Sequence, residues 1–454
     1  MQADKLKLNQ AGATPRPQNR SYPAGGAHQP QETPVSDPGG TGRGGIVAPL
    51  SRNTDHPGAY QVLHKGFDNL TIAIQVNLPP EAFEYFETQK DLAEKEQQDT
   101  LTDYNGVQFH IKGHGGSGYR ILANGGPMGA QWAFKKPNPK DPWGIRVIFG
   151  STFLATLGLG AARAHLDSVL ERLGIRTRPE DISMSRVDYC VDILTPLDFV
   201  LDPEAVIMHS STNRRDHIAN TDMAVSGKSG RTTSVTIGSS RARQVIVYDK
   251  RAEVIQKHKP HWWHLWNQTR RANSQTTIGP DTPDLSIWRV EFRAGKHLLR
   301  DRWNIRTWED LFTRFGDLTN ETGQVIRYTV PTTHDTNRAR WPNHPIWEIA
   351  LGEINTDLIE MYEGTDPNPV KEIQRSHHIS VLLKNIKGST ITLAALEGVE
   401  EQDLERFFKD TASKLAGQTK ADPERTAKQL QDARDRYAFI NPANRDAPPG
   451  QTYQ

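Results

Sequence analysis

The sequence is almost without cysteine. Cys190 stands alone among 454 residues, so no internal disulfide can form and no thiolate pair exists for a zinc or redox site. Long apolar runs are missing too: no stretch of about 18 or more consecutive apolar residues occurs, and the first residues lack the charged-then-apolar order of a signal peptide. A cytoplasmic location without a membrane partner is the expectation. Net charge is nearly absent, at +1, so the chain as a whole gives no sign of a polyanionic partner. No repeat with a period of roughly 20–50 residues is visible, which argues against a solenoid or propeller.

What is present is unevenly distributed. Hydrophobic residues make up 35% of the chain, enough for a core if some segments stay outside it, and the length allows two or three domains. Residues 1–57 are dense in Pro, Gly, Gln, Ser and Thr and poor in aromatic and branched residues, so they cannot bury enough surface to offset ordering entropy and are expected to form a disordered tail. Charge is uneven as well. Residues 211–260 contain ten Lys and Arg against four acids, a local excess of six that suits a phosphate-binding surface and equally a solvated loop.

Beyond the tail, Leu70-Thr71-Ile72-Ala73-Ile74-Gln75-Val76 alternates as a strand does and stops at Pro79-Pro80. A helical stretch is expected over 81–98, strands at 107–111, 119–122 and 145–149, and a helix over 161–173 with Gly174 as its stop. Past Asp301 the apolar spacing turns helical, at Trp308, Leu311 and Phe312 and again at Ile346, Ile349, Leu351 and Ile354. Residues 397–438 are highly charged and predict thin, solvated helices, and the last dozen residues predict a frayed tail. The expected fold class is α+β: an antiparallel sheet with flanking helices over 58–300 as the catalytic domain, a mostly helical accessory or DNA-binding region over 301–390, and a charged helical segment with a flexible tail over 391–454.

Three strands carry the chemistry. In Ser185-Arg186-Val187-Asp188-Tyr189-Cys190-Val191-Asp192-Ile193, alternation puts Val187, Tyr189, Val191 and Ile193 on one face and Arg186, Asp188 and Asp192 on the other. In Trp288-Arg289-Val290-Glu291-Phe292-Arg293 the charged face holds Arg289, Glu291 and Arg293. The run Val245-Ile246-Val247-Tyr248-Asp249-Lys250, after the Gly238-Ser239-Ser240-Arg241 turn, puts Tyr248 and Lys250 on one side. If these strands are neighbours, carboxylates, arginines, a lysine and a tyrosine share a surface suited to Mg²⁺ or Mn²⁺ and to phosphate. Any one of the strands, taken alone, is equally the wet face of an ordinary antiparallel sheet, and Tyr248 alone would be an edge-strand packing residue.

At these residues the sequence resembles the replication initiation factor family of rolling-circle plasmids and filamentous phages, with related relaxases of conjugative elements. The matching motifs are Arg186-Val187-Asp188 with Asp192, then Ile237-Gly238-Ser239-Ser240-Arg241 running into Val247-Tyr248-Asp249-Lys250 and Glu253, then Arg289 and Glu291. The resemblance covers roughly residues 66–300 and, weakly, the helical region that follows. The two tails fall outside it. Val247 stands where the family more often has isoleucine, a volume-conserving change.

The resemblance implies that Tyr248 is the nicking residue and that Asp188 and Glu291, with Asp192 less firmly, hold a divalent metal, Mg²⁺ or Mn²⁺. Lys250 and Arg241 are expected to neutralise developing charge, and Arg186, Arg243, Arg251, Arg289 and Arg293 to contact DNA phosphates or orient the carboxylates. The implied activity is site-specific nicking and joining of single-stranded or extruded origin DNA through a 5′-phosphotyrosyl link, leaving a 3′-hydroxyl primer. A host helicase and polymerase would be partners and a homodimer is possible. A conjugative relaxase with the same chemistry and a non-catalytic DNA-binding regulator are the alternatives. Other motifs point elsewhere only weakly. Gly227-Lys228-Ser229 ends like a phosphate loop, but Asp222 stands where that loop needs glycine, and Gly113-His114-Gly115-Gly116-Ser117-Gly118 does not continue into Lys-Ser or Lys-Thr. No two histidines flank a single bulky apolar residue, the metal triplet of the other large class of nicking proteins. If helical, His258, His261 and His264 share a face that could hold a metal, although packing among Trp262, Trp263 and Trp266 or DNA contact explains them more simply.

Overall fold

The computed structural model describes residues 60–209, 223–354 and 366–440. The expected tail over 1–57, the expected fraying of the last dozen residues, and Arg214, Arg215, Asp216 and Asp222 of the basic window lie outside the described residues.

The chain is α+β, built on a large antiparallel sheet. In order come β1 (Gln61–Ile74), α1 (Pro80–Glu96), β2 (Thr100–Tyr104), β3 (Val107–Ile111), β4 (Ile121–Asn124), β5 (Gln131–Phe134), β6 (Ile145–Phe149), α2 (Ser151–Arg172), β7 (Ile182–Leu194), β8 (Val206–Met208) and β9 (Met223–Lys228). They are followed by β10 (Arg231–Gly238), β11 (Arg243–Asp249), α3 (Lys250–Gln256), α4 (His261–Ala272), β12 (Ile287–Gly295), α5 (Trp308–Val325), β13 (Ile326–Tyr328), α6 (Pro345–Ile354), α7 (Asn368–Leu396), α8 (Leu404–Ala421) and α9 (Pro423–Arg436). Eleven strands form one sheet in the order β2-β3-β4-β5-β6-β1-β7-β12-β11-β10-β9, and β8 pairs with β13.

The three chemistry-bearing strands are therefore consecutive, β7 beside β12 and β12 beside β11, all antiparallel. Their apolar alternates form one face. Val187, Tyr189, Val191, Val290 and Phe292 are buried there in a core shared with Leu311 and Phe315 of α5 and Ile346 and Trp347 of α6, and Phe292 packs against Trp347 at a centroid distance of 5.4 Å. Apolar residues on every second position of a strand must be covered on that side, and the amphipathic α5 supplies the cover. A Thr307–Asp310 capping box starts that helix where its apolar spacing begins.

Two elements are longer than their patterns suggest. β1 starts nine residues before Leu70, at Gln61. Register shifts between Val62 and His64 and between Phe67 and Asn69 break the period of two and hide the strand's first half. α2 starts at Ser151, ten residues before position 161, because Gly158 (φ 77°) kinks it and the small residues around the kink dilute the helical pattern. The Gly238 of the turn motif is structural: its φ of 83° lies in the left-handed region, and a Cβ there would collide with the Arg243 carbonyl.

Among the described residues, α7 is long and apolar enough to cross a membrane by length and composition, with 6% of its apolar window buried. Ile379, Leu382, Leu383 and Ile386 on it are exposed. α8 and α9 bury no residue, as their sparse apolar content predicts.

Candidate active site

The opposite face of the same three strands holds the charged residues. Directly paired positions point to one side of a sheet, and the pairing sets Tyr248 opposite Arg289, Arg289 opposite Asp192, Glu291 opposite Cys190 and Arg293 opposite Asp188. Asp188, Asp192, Arg289 and Glu291 are all buried. Charges at this depth survive only when paired, and each of these is.

Arg289 is the hub. Its Nε and Nη2 donate to the two oxygens of Asp192 at 2.5 and 2.8 Å, and its Nη1 donates to Asp68 Oδ1 at 2.5 Å. Trp266 of α4 donates its indole N–H to Asp192 Oδ2 at 2.8 Å. Trp262 lies against the guanidinium, 4.3 Å from its ring centroid, and against Lys250 Nζ at 4.5 Å. Burial by itself pushes Asp192 up, but the Arg289 fork overrides it and holds the carboxyl below its usual range. Both oxygens of Asp192 are thus occupied, and the expectation that Asp192 ligates a metal is corrected: it anchors Arg289. Arg289 in turn is wholly buried and is an internal counter-charge, not a phosphate contact.

Toward the other end of the strands the pairs reach the surface. Arg186, half-buried, forks onto Asp188 with Nε–Oδ1 2.9 Å and Nη2–Oδ2 2.5 Å. Arg293 donates to Glu291 Oε1 at 2.6 Å and lies 3.7 Å from Asp188 Oδ2. Burial pushes the Asp188 carboxyl up to about 7, Arg186 pulls it back in part, and the Glu291 charge adds to the rise. Two carboxylates that crowd one another and lean on arginines at the solvent edge suit a cation delivered with a phosphate, since Mg²⁺ is commonly held by one or two carboxylates plus substrate oxygens. Among the described residues no group of three or more His, Cys, Asp and Glu is arranged for a metal ion. Arg186 engages both Asp188 oxygens and Arg293 one Glu291 oxygen, so this pair could take a cation only in exchange for those arginines, which reach solvent. The His258, His261 and His264 alternative falls: His261 is buried in the tryptophan cluster at the start of α4 and His258 stacks at 5.7 Å on His377.

Tyr248 is half-buried near the end of β11, and its hydroxyl makes no hydrogen bond among the described residues. Burial pushes the phenol well above its ordinary value, and Glu291, Asp68 and Asp192 add to the rise against the opposing Arg289. Lys250 does not continue the strand as alternation suggests. Asp249 caps a helix that starts at Lys250, accepting from the Ala252 N–H at 2.9 Å. The turn nevertheless keeps Lys250 Nζ 5.7 Å from the Tyr248 ring centroid, with Glu253 Oε2 at 2.9 Å. Burial and Arg289 lower the Lys250 pKa.

Three basic residues expected here are elsewhere. Arg241 is exposed in the turn before β11, and the strand carries Tyr248 away from it by seven residues, roughly 23 Å of extended chain. Arg243 points to the apolar face and pairs with Glu321 at 2.8 Å and Thr322 at 3.1 Å. Arg251 donates to the carbonyls of Pro280 and Thr282 at 3.1 and 3.2 Å, holding a loop. Conversely, Asp68 and His64 join the site unforeseen. The bulge between Phe67 and Asn69 leaves Asp68 out of the strand pairing and turned to Arg289, and the broken alternation that conceals the strand is the one signal that could have found Asp68. Burial lowers the His64 pKa to about 4.

No protein-family model matches the chain, and no curated protein matches it. Among solved structures it is similar to one described as a rolling circle replication initiator protein from Geobacillus stearothermophilus, with 15% identity and a TM-score of 0.34, over 65% of this chain and 97% of that one.

Proposed function

We propose that this protein nicks and rejoins one strand of DNA with Tyr248 as nucleophile, as an initiator of rolling-circle replication. The observation that carries the reading is the position of the half-buried Tyr248, whose hydroxyl makes no hydrogen bond among the described residues, on the face that holds the Asp188–Glu291 pair and their solvent-edge arginines.

In the proposed reaction the Tyr248 oxygen attacks phosphorus, the bond from phosphorus to the 3′ oxygen breaks, and that oxygen leaves with a proton as a 3′-hydroxyl. The 5′-phosphate stays esterified to Tyr248, and the reverse attack rejoins the strand. Asp188 and Glu291 would hold a Mg²⁺ or Mn²⁺ ion, which when bound supplies Lewis acidity at the phosphate and positive charge beside the phenol. Arg186 and Arg293, the arginines of this face that reach solvent, would exchange a carboxylate for a phosphate oxygen as DNA arrives. Lys250 lies on the tyrosine side and would oppose developing charge. The phenol, raised in the free protein, becomes a competent nucleophile only once cations and substrate are assembled, which keeps the free enzyme inert. DNA is the proposed partner, with helicase and polymerase acting on the exposed 3′ end.

The test is a denaturing gel of the full chain with labelled single-stranded origin DNA and Mn²⁺. A covalent adduct lost in Tyr248→Phe supports the reading. Binding without any adduct would instead establish the non-catalytic regulator, and an adduct that persists in Tyr248→Phe would displace Tyr248.

A further inference from the structure

A concave site lies on the same face of the sheet, at its other half. It is a cavity of about 540 Å³, within the range of roughly 300–1,000 Å³ that holds a ligand of nucleotide size. Its floor is a cross-strand row: His110 on β3 faces Asn124 on β4, which faces Gln131 on β5, which faces Ile148 on β6. Its wall comes from the C-terminal region, with Gln374 and His378 of α7 and Arg436 and Tyr437 from the end of α9.

Three features of the lining point to a planar, polar, anionic occupant. Aromatic rings are gathered at the cavity: His378 and Tyr437 lie 5.5 Å apart, and His110 and Phe439 4.8 Å apart. Gln374 Oε1 is buried without a hydrogen-bond partner among the described residues, an acceptor waiting for a donor. Arg436 is exposed at the edge and makes a long 3.4 Å bond to Gln98. Rings to stack on, amide groups to read an edge and a guanidinium for a phosphate are the requirements of a nucleotide.

The sheet also says where this cavity stands relative to the carboxylates of the candidate active site. The floor row continues: Ile148 faces Thr71 on β1, and Thr71 faces Arg186 on β7, the arginine that forks onto Asp188. Gln131, Ile148, Thr71 and Arg186 are all at least partly exposed, so the floor between cavity and carboxylates is open. Three strand spacings separate Gln131 from Arg186, and Tyr248 lies two strands further and six positions along β12, since Gly295 faces Arg186 and Arg289 faces Tyr248; the whole span is on the order of 30 Å, the length of several nucleotides of extended strand. From this we infer that the cavity takes one unpaired nucleotide of the DNA strand whose scissile phosphate lies at Tyr248, setting the position of the cut by its distance along the sheet. The inference rests on the nicking reading for its register but not for its chemistry.

The experiment is photocrosslinking of the full chain to single-stranded oligonucleotides carrying 5-iododeoxyuridine at one position at a time, with peptide mapping, and the Tyr248 adduct read in parallel. Crosslinks to the peptides of Tyr437, His378 or His110 from a restricted set of positions are expected. Tyr437→Ala and the exposed Arg436→Gln should each weaken oligonucleotide binding, the former by roughly five- to a hundredfold as loss of one stacked base does. An adduct at Tyr248 with no crosslink at the cavity would overturn the inference and leave the nicking reading standing. Crosslinks without an adduct would sink the nicking reading and leave a DNA-binding cavity. Protection of the cavity by a free deoxynucleoside monophosphate that the oligonucleotide cannot displace would make it a site for free nucleotides and overturn the assignment to the strand.

Discussion

Arg289 and Asp192 face each other across β12 and β7, both wholly buried, joined through a two-point fork at 2.5 and 2.8 Å. Removing either partner strands the other charge in the interior. Asp192→Ala and Arg289→Ala should each lower unfolding free energy by about 3–5 kcal/mol in urea titrations. Asp192→Asn, which keeps an acceptor for Trp266, should cost less than Asp192→Ala. Equal losses for the two would show that the charge, not the hydrogen bonds, is what matters.

Solvent-edge and interior arginines should separate in binding experiments. Arg186→Ala and Arg293→Ala are each expected to weaken single-stranded DNA binding and to flatten the log–log salt dependence by about 0.7. Arg243→Ala should leave that slope unchanged and lower stability on the order of 1 kcal/mol, since Glu321 keeps Arg302 as a partner.

Glu291→Gln and Asp188→Asn should each reduce adduct formation far more than DNA binding. Adduct formation by these variants should require higher Mn²⁺ than the parent chain, and the number of ions bound per chain, counted by electron paramagnetic resonance, should fall. Asp192→Asn should keep the parent's Mn²⁺ requirement, because its oxygens are committed to Arg289 and Trp266.

Acid should destabilise the fold from near pH 6.5 downward. Burial lowers His64 and His261 to about 4 and His165 to about 3, so unfolding takes up protons that the folded state refuses, and stability is lost as pH falls through that window. Asp188, raised to about 7, works the other way: its contribution is full below its unfolded value of about 3.9 and disappears as pH rises to 7. Histidine ring resonances followed by NMR should show His64 unprotonated at pH 5. An ordinary titration near 6.5 would contradict the burial described here.

Much of this was legible along the chain, because alternation is local. Val187, Tyr189 and Val191, or Val290 and Phe292, must share a face whatever the fold, and so must Asp188 with Asp192 and Glu291 with Arg293. That β7, β12 and β11 would be neighbours, and in that order, required the strand pairing. Asp68 entered the site through a bulge, and Trp262 and Trp266 through a helix folded back over the sheet. None of these has a period to read.

What the sequence by itself determined is therefore which side chains share a surface: strand periodicity sorts residues by face before any tertiary contact exists. What only the tertiary structure decided is the state of each charge on that surface. Asp192 and Asp188 are the same residue type four positions apart on one strand. Both are buried, but one is closed off by the buried Arg289 and the indole of Trp266, and the other is held beside Glu291 by Arg186 and Arg293, which reach solvent. Coulomb energy and desolvation depend on distance and depth, and those are set by elements more than 70 residues away along the chain.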